Sequence, residues 1–273
     1  MKSSIVDSIK SLPPLSKTII DINRVYADPD SSIHDLAKVV EHDPMLIANL
    51  LKAANSPLYG LRKEINSPVQ AVSLFGMNMT RTIALTNSVR KLLNVDMQPY
   101  GITPDVFAQI SELQATLMMR WYKQINKEKA DKLYLASFLQ ETGTILIASD
   151  IIQEDETTSF YSEIELTNNI AAVEKSYVDV SCAQVTSKIF EHWNFDNDFI
   201  EMIKYADNPQ DATDEIKEYS TALNIVKSIV PLNKPLSEVA INIGLKKAEN
   251  AGYDVDLLQA TVNDLIAQNK VSV

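Results

Sequence analysis

The stretch Ser32-Ile33-His34-Asp35-Leu36-Ala37-Lys38-Val39-Val40-Glu41-His42-Asp43-Pro44-Met45-Leu46-Ile47-Ala48-Asn49-Leu50-Leu51-Lys52-Ala53-Ala54-Asn55 carries the signals of two consecutive helices. Ser32 stands before the apolar set Ile33, Leu36, Ala37, Val39 and Val40. Asp35 completes a Ser-x-x-Asp capping pattern that can satisfy the first free amides of a helix. Asp43-Pro44 then supplies a cap followed by proline at the first helical position, where the missing N–H costs nothing. Leu46, Ile47, Leu50, Leu51 and Ala54 recur at helical spacing, and Asn55-Ser56-Pro57 stops the second helix.

The same punctuation continues outward from this stretch. A helix is predicted over 68–75, closed by Gly76 in a left-handed cap, and another from Met77 to Leu93 with Met79, Ile83, Leu85, Val89 and Leu92 inward. Thr103-Pro104-Asp105 opens a helix running to about Ile125, and 130–152 reads as one long buried helix. Shorter helices are expected at 155–166, 168–176, 181–192 and 196–206. Asp207-Asn208-Pro209-Gln210-Asp211 is polar and proline-bearing, the best linker candidate. Three further helices follow at 213–230, 237–250 and 255–268, with Ser237 and Asp254 as caps and Gly252 as a stop. Only six glycines occur in 273 residues, too few for the many turns of a sandwich or barrel. No repeat or low-complexity tract interrupts the pattern. The predicted fold class is all-α.

Composition excludes several classes. The single cysteine, Cys182, cannot pair within the chain, which fits a reducing compartment. Met1-Lys2-Ser3-Ser4-Ile5-Val6-Asp7 meets an acid too soon for a secretory signal peptide, and no apolar run reaches the roughly 20 residues of a membrane span. The expectation is a cytoplasmic protein without a membrane partner. The net charge is −11 and uneven: residues 1–130 carry 15 basic and 12 acidic side chains, the remainder 10 and 24. An acidic second half repels phosphate and counts against nucleic acid, while the near-neutral first half leaves room for a local basic face.

Chemistry-bearing constellations are few. His34-Asp35 and His42-Asp43 pair a histidine with an aspartate, a combination used as metal ligands, but both sit at helix ends where the aspartates cap, and Pro44 breaks the face that would join them. His192 stands alone beside Trp193. Cys182 has no basic neighbour in sequence to lower its pKa and reads as a small buried residue. Phosphate-cradling glycine loops and a G-x-S-x-G elbow are both absent. Glu154-Asp155-Glu156 reads as a solvated helix start, and Met77, Met79, Met97, Met118 and Met119 as core filling. Residues 32–55 imitate a helix-turn-helix in length, yet the second helix offers only Lys52 and two asparagines to reach base edges. With Arg62, Lys63, Arg81, Arg90 and Lys91 nearby, nucleic-acid binding through 32–55 stands as the third reading.

Several segments together resemble the HDOD family, the HD-related output domain of bacterial signalling proteins. Leu12-Pro13-Pro14-Leu15 is similar to the family's opening. Leu36-Ala37-Lys38-Val39-Val40-Glu41-His42-Asp43-Pro44-Met45-Leu46 resembles its LA-x-(I/V)-(I/V)-x-x-DP-x-L segment, and Leu50 to Gly60 its LL-x-x-A-NS-x-x-YG segment. Ser67 to Gly76 is similar to the helix that ends in Phe-Gly. Pro13, Pro14, Asp43, Pro44, Asn55, Ser56 and Gly76 thus carry the family motif, with a cap-and-turn role the simpler reading of Asn55 and Ser56. The resemblance is dense over 12–95, which implies a lead-in at 1–11, an HDOD domain at 12–207 and a C-terminal helical extension at 208–273. It also implies a multi-helix bundle like that of the HD phosphohydrolases and phosphodiesterases.

The second half bears on catalysis. Many HDOD members keep an HD-I-G segment, a relic of a metal-binding phosphohydrolase site. Here Gln140 and Glu141 of Ala136-Ser137-Phe138-Leu139-Gln140-Glu141-Thr142-Gly143 stand where His and Asp would be. Cys182 replaces a histidine ahead of Ala183, and Ala206-Asp207 replaces a histidine pair after Tyr205. Glu141 and Asp207 are then the only ligands left of the vestigial set Gln140, Glu141, Cys182, Ala206 and Asp207, too poor in nitrogen for a two-metal centre. The resemblance implies a non-catalytic regulator in motility, gene expression or cyclic-dinucleotide pathways. It would need no cofactor and would act on a protein partner. A residual metal-dependent phosphohydrolase is the alternative.

Overall fold

The computed structural model describes residues 1–55, 64–92 and 96–269. Ser56, Arg62 and Lys63 lie outside the described residues, as do the side chains of Arg90 and Lys91. Among the described residues there are fifteen α-helices and no strand. By packing, the chain divides into a larger unit, residues 1–12 with 95–273, and a smaller one, residues 13–94. The helices after residue 208 fall within the larger unit by packing.

The chain opens with α1 (Ser3–Ser11) of the larger unit, a helix with no counterpart in the sequence reading. Ile5 and Ile9 are buried, and Lys2 and Ser4 both bond the carboxylate of Asp150. The smaller unit contains α2 (Lys17–Ala27), α3 (Ile33–Val40), α4 (Pro44–Ala54) and α5 (Pro68–Leu92). The Ser32–Asp35 capping box forms in both directions, and Asp43 accepts from the Leu46 amide at 3.0 Å with Pro44 at the first position. Leu36, Val40, Leu46, Leu50, Ala71, Val72 and Leu85 fill the core. α5 bends at Gly76, whose φ of 71° and ψ of −179° only glycine adopts at low cost. Arg81 lies 4.3 Å over the Tyr26 ring and donates to Asn23 at 2.8 Å, fixing α5 to α2.

The larger unit continues with α6 (Pro104–Tyr122), α7 (Lys127–Leu139), α8 (Gly143–Gln153), α9 (Thr157–Leu166) and α10 (Ile170–Val178). Then come α11 (Cys182–His192), α12 (Asn197–Lys204), α13 (Asp214–Ile229), α14 (Glu238–Asn250) and α15 (Val255–Asn269). Thr103, Ser237 and Asp254 cap as expected. The stretch 127–153 reaches the length and mean hydropathy, 1.2, of a membrane span, but 78% of that window is buried inside the structure. It is also not one helix. The expected 130–152 helix breaks at 140–142, because the Gln140 carbonyl accepts from Thr186 Oγ1 at 3.1 Å instead of joining the helical ladder.

Candidate functional site

The break between α7 and α8 is imposed from outside. Gly143, first residue of α8, donates its amide to Thr186 Oγ1 of α11 at 2.8 Å. A Cβ there would lie 2.5 Å from the Cys182 carbonyl oxygen and 2.7 Å from the Thr186 nitrogen. The two helices touch through backbone, so neither can yield. Gly143→Ala is expected to cost about 3 kcal/mol of stability, at the upper end of overpacking effects, measured by urea unfolding; a loss within about 0.5 kcal/mol, the range of a neutral surface change, would refute this contact.

That turn presents Gln140 and Glu141 inward. Glu141, 1% exposed, accepts from Gln114 Nε2 at 3.1 Å. Its other oxygen lies 3.4 Å from Cys182 Sγ and 3.4 Å from Lys227 Nζ. Gln114 is saturated: its amide nitrogen also donates to the Val230 carbonyl at 2.9 Å, and its oxygen accepts from Gln140 at 2.8 Å. Lys227, in the last turn of α13, reaches Asp207 Oδ1 at 2.9 Å, and Asp207 Oδ2 takes the Ala183 amide at 3.3 Å. Ala206 is buried beside it, its carbonyl accepting from Asn224 at 2.6 Å. A third carboxylate, Glu174 of α10, accepts from Tyr100 OH at 2.9 Å and from the Cys182 amide at 2.6 Å.

The charges settle one another. Burial alone would lower the Lys227 ammonium, but Asp207 and Glu141 outweigh it and hold its pKa well above the ordinary lysine value. Burial likewise opposes ionisation of Asp207, yet Lys227 and the hydrogen bonds of Ser181 and Ala183 keep its carboxyl below the usual range. Burial dominates at Glu174, raising its pKa from 4.5 to about 7. Burial also pushes the Cys182 thiol far up, despite the Lys227 ammonium, so the group stays a thiol and not the reactive thiolate.

The structure therefore brings Gln140, Glu141, Cys182, Ala206 and Asp207 to one place. It also corrects two details of the sequence reading. Asp207 is no exposed linker residue, because its side chain turns inward to Lys227. Glu141 and Asp207 are not the only acids, because Glu174 faces Cys182 with them. Cys182 is the small buried residue expected, although the fold brings the Lys227 ammonium near it from 45 positions away. The remaining motif residues serve the smaller unit: Asn55 accepts the Ile65 amide at 2.8 Å and donates to the Leu51 and Ile65 carbonyls, closing α4. His42 bonds the Lys38 carbonyl, His192 the Leu12 carbonyl, and His34 is exposed. On α4 the exposed positions are Pro44, Met45, Ala48 and Lys52, a poor set for reading bases.

A divalent metal does not fit this donor set. Among the described residues no group of three or more His, Cys, Asp or Glu side chains could hold one. The space between Glu141 and Asp207 is taken by the Lys227 ammonium, which contacts both. A cavity of about 500 Å³ opens onto the network, with Glu141, Glu174, Asp207, Lys227 and Lys247 in its wall.

The all-helical fold is one shared with HDOD and HD-like helical proteins. The HDOD domain model matches residues 12–209, and the chain belongs to the HDOD family. A candidate signal transduction protein from Marinobacter aquaeolei VT8 superposes with a TM-score of 0.75 at 20% identity, over 99% of this chain and 60% of that one. A candidate phosphohydrolase from Shewanella amazonensis SB2B gives 0.74 at 19% identity, over 97% and 94%. An uncharacterized protein of Treponema pallidum (strain Nichols) is 24% identical over 229 residues, 80% of this chain; the chain spans 42% of the length of that curated relative.

Proposed function

We propose that this HDOD protein is a non-catalytic regulator in bacterial signal transduction, acting through a protein partner in motility or cyclic-dinucleotide-linked control. One observation carries the reading. Lys227 Nζ stands 3.4 Å from Glu141 and 2.9 Å from Asp207, where a hydrolytic relative would need a metal to activate water. An ammonium bridges the two carboxylates but has no vacant coordination position to offer a substrate. Neither does the pocket hold a nucleophile, since the Cys182 thiol is kept protonated by burial. The likeness to a signal transduction protein supports the same direction.

The test uses purified protein. Elemental analysis is expected to find no stoichiometric iron or manganese, and bis(p-nitrophenyl) phosphate with added Mn²⁺ no turnover above buffer. Stoichiometric metal, or turnover that disappears in Glu141→Gln, would establish the phosphohydrolase instead. Affinity capture from the native cell with mass spectrometry tests the partner; an unenriched eluate contradicts it.

A further inference from the structure

A second ammonium lines the same cavity as the ion-pair network. Lys247 of α14 is half-buried in the cavity wall, and its Nζ donates to Ser228 Oγ at 2.8 Å. No carboxylate lies within 4 Å of it among the described residues, whereas Lys227, in the same wall, has two. Burial, with the Lys227 ammonium nearby, pulls the Lys247 pKa below its ordinary value, and Asp207 offsets only part of that. A partly desolvated ammonium with no carboxylate in contact gains most from a ligand that brings its own negative charge.

The rest of the wall defines the ligand's other end. Ile170, Leu232 and Ile243 form apolar surface, while Asn224 is already engaged with the Ala206 carbonyl. Asp207 and Glu141 already have Lys227 as their cation, so Lys247, with no carboxylate in contact, is the ammonium left for an incoming acid group. The first residues of α10, Ile170 and Ala171, border the same cavity and add the positive end of a helix. A volume of about 500 Å³ suits a metabolite, not a macromolecular segment.

We propose that this cavity binds a small organic anion, with a phosphate or carboxylate head on Lys247 Nζ and an apolar body against Ile243 and Leu232. The ligand would be the input that the regulator senses. The inference rests on the non-catalytic reading of the pocket, and a single probe separates the two.

Calorimetric titration of the full chain at pH 7 with phenyl phosphate, benzoate, inorganic phosphate and benzylammonium provides the test. Saturable 1:1 binding is expected for phenyl phosphate or benzoate, whichever head fits better, and tighter than for inorganic phosphate, which lacks the apolar body. Lys247→Gln is expected to weaken it about tenfold or more, the worth of a charge-assisted hydrogen bond. Lys246→Gln, on the exposed neighbour that pairs with Glu249, should leave it unchanged. No saturable binding of either aromatic anion, tighter binding of benzylammonium, or equal affinity in Lys247→Gln would overturn the proposal. Release of phenol from phenyl phosphate would instead overturn the non-catalytic reading, while binding without release supports both.

Discussion

Lys227→Met is expected to lower the unfolding free energy by about 3–5 kcal/mol, the cost of stranding buried charge when one partner of a buried pair is removed. The methionine fills nearly the same volume, so packing changes little. What is lost is the cation that lies between Glu141 and Asp207. With Glu174 nearby, three carboxyl groups then share a desolvated site, and the protein must protonate them or unfold. Urea unfolding at pH 7, followed by the fluorescence of Trp121 and Trp193, measures the loss. Adding Glu141→Gln and Asp207→Asn to Lys227→Met removes the stranded charges and should recover much of the stability, a strongly non-additive result. A Lys227→Met protein within about 1 kcal/mol of the parent, the size of an exposed ion pair, would mean that the pair is effectively solvated.

The second large effect is a dependence on pH. Glu174 is raised from 4.5 to about 7 by burial, so the folded chain holds a proton there that the unfolded chain releases. Between those two values the folded state binds more protons, and stability falls as pH rises. Across the window the change is roughly 3 kcal/mol. Glu174→Gln keeps an acceptor for the Cys182 amide and a donor for the Tyr100 hydroxyl, which can rotate to accept, and it cannot ionise. Denaturation midpoints at pH 5, 6, 7 and 8 should slope downward in the parent and run flat in the variant over that range. Parallel slopes in the two proteins would show that the carboxyl is not the titrating group. Asp207 acts in the opposite sense: its lowered carboxyl contributes stability above its ordinary value of 3.8 that is lost as pH falls below it.

Most of the helical fold was legible because its signals are local. Ser32 with Asp35, and Asp43 with Pro44, announce α3 and α4 within a few residues, and both caps form as read. The interruption at 140–142 was missed, although the polar run Gln140-Glu141-Thr142-Gly143 stands at it in the sequence. It arises from Thr186, 46 positions away, capturing the Gln140 carbonyl. The pocket divides in the same way. Gln140, Glu141, Cys182 and Asp207 were found through family motifs, whereas Lys227, Glu174 and Gln114 were missed. A signal for two of them was present. Lys227 follows Leu223, Ile225 and Val226 and precedes Ile229 and Val230, and Glu174 shares a helical face with Ile170 and Val178. A charge on a buried face implies a counter-charge, but only the fold says which.

Lys227 belongs to α13, beyond residue 209 where the family match ends, while Glu141 and Asp207 lie within it. The recognisable domain therefore borrows its neutralising charge from a later segment of the chain. Peeling α13 away would expose a bare ammonium on one side and two bare carboxylates in a poorly hydrated cleft on the other. Partial opening along that seam is thus disfavoured from both sides, which ties the C-terminal helices to the rest of the larger unit in one cooperative transition. A sequence boundary drawn by similarity can run through the middle of a thermodynamic unit.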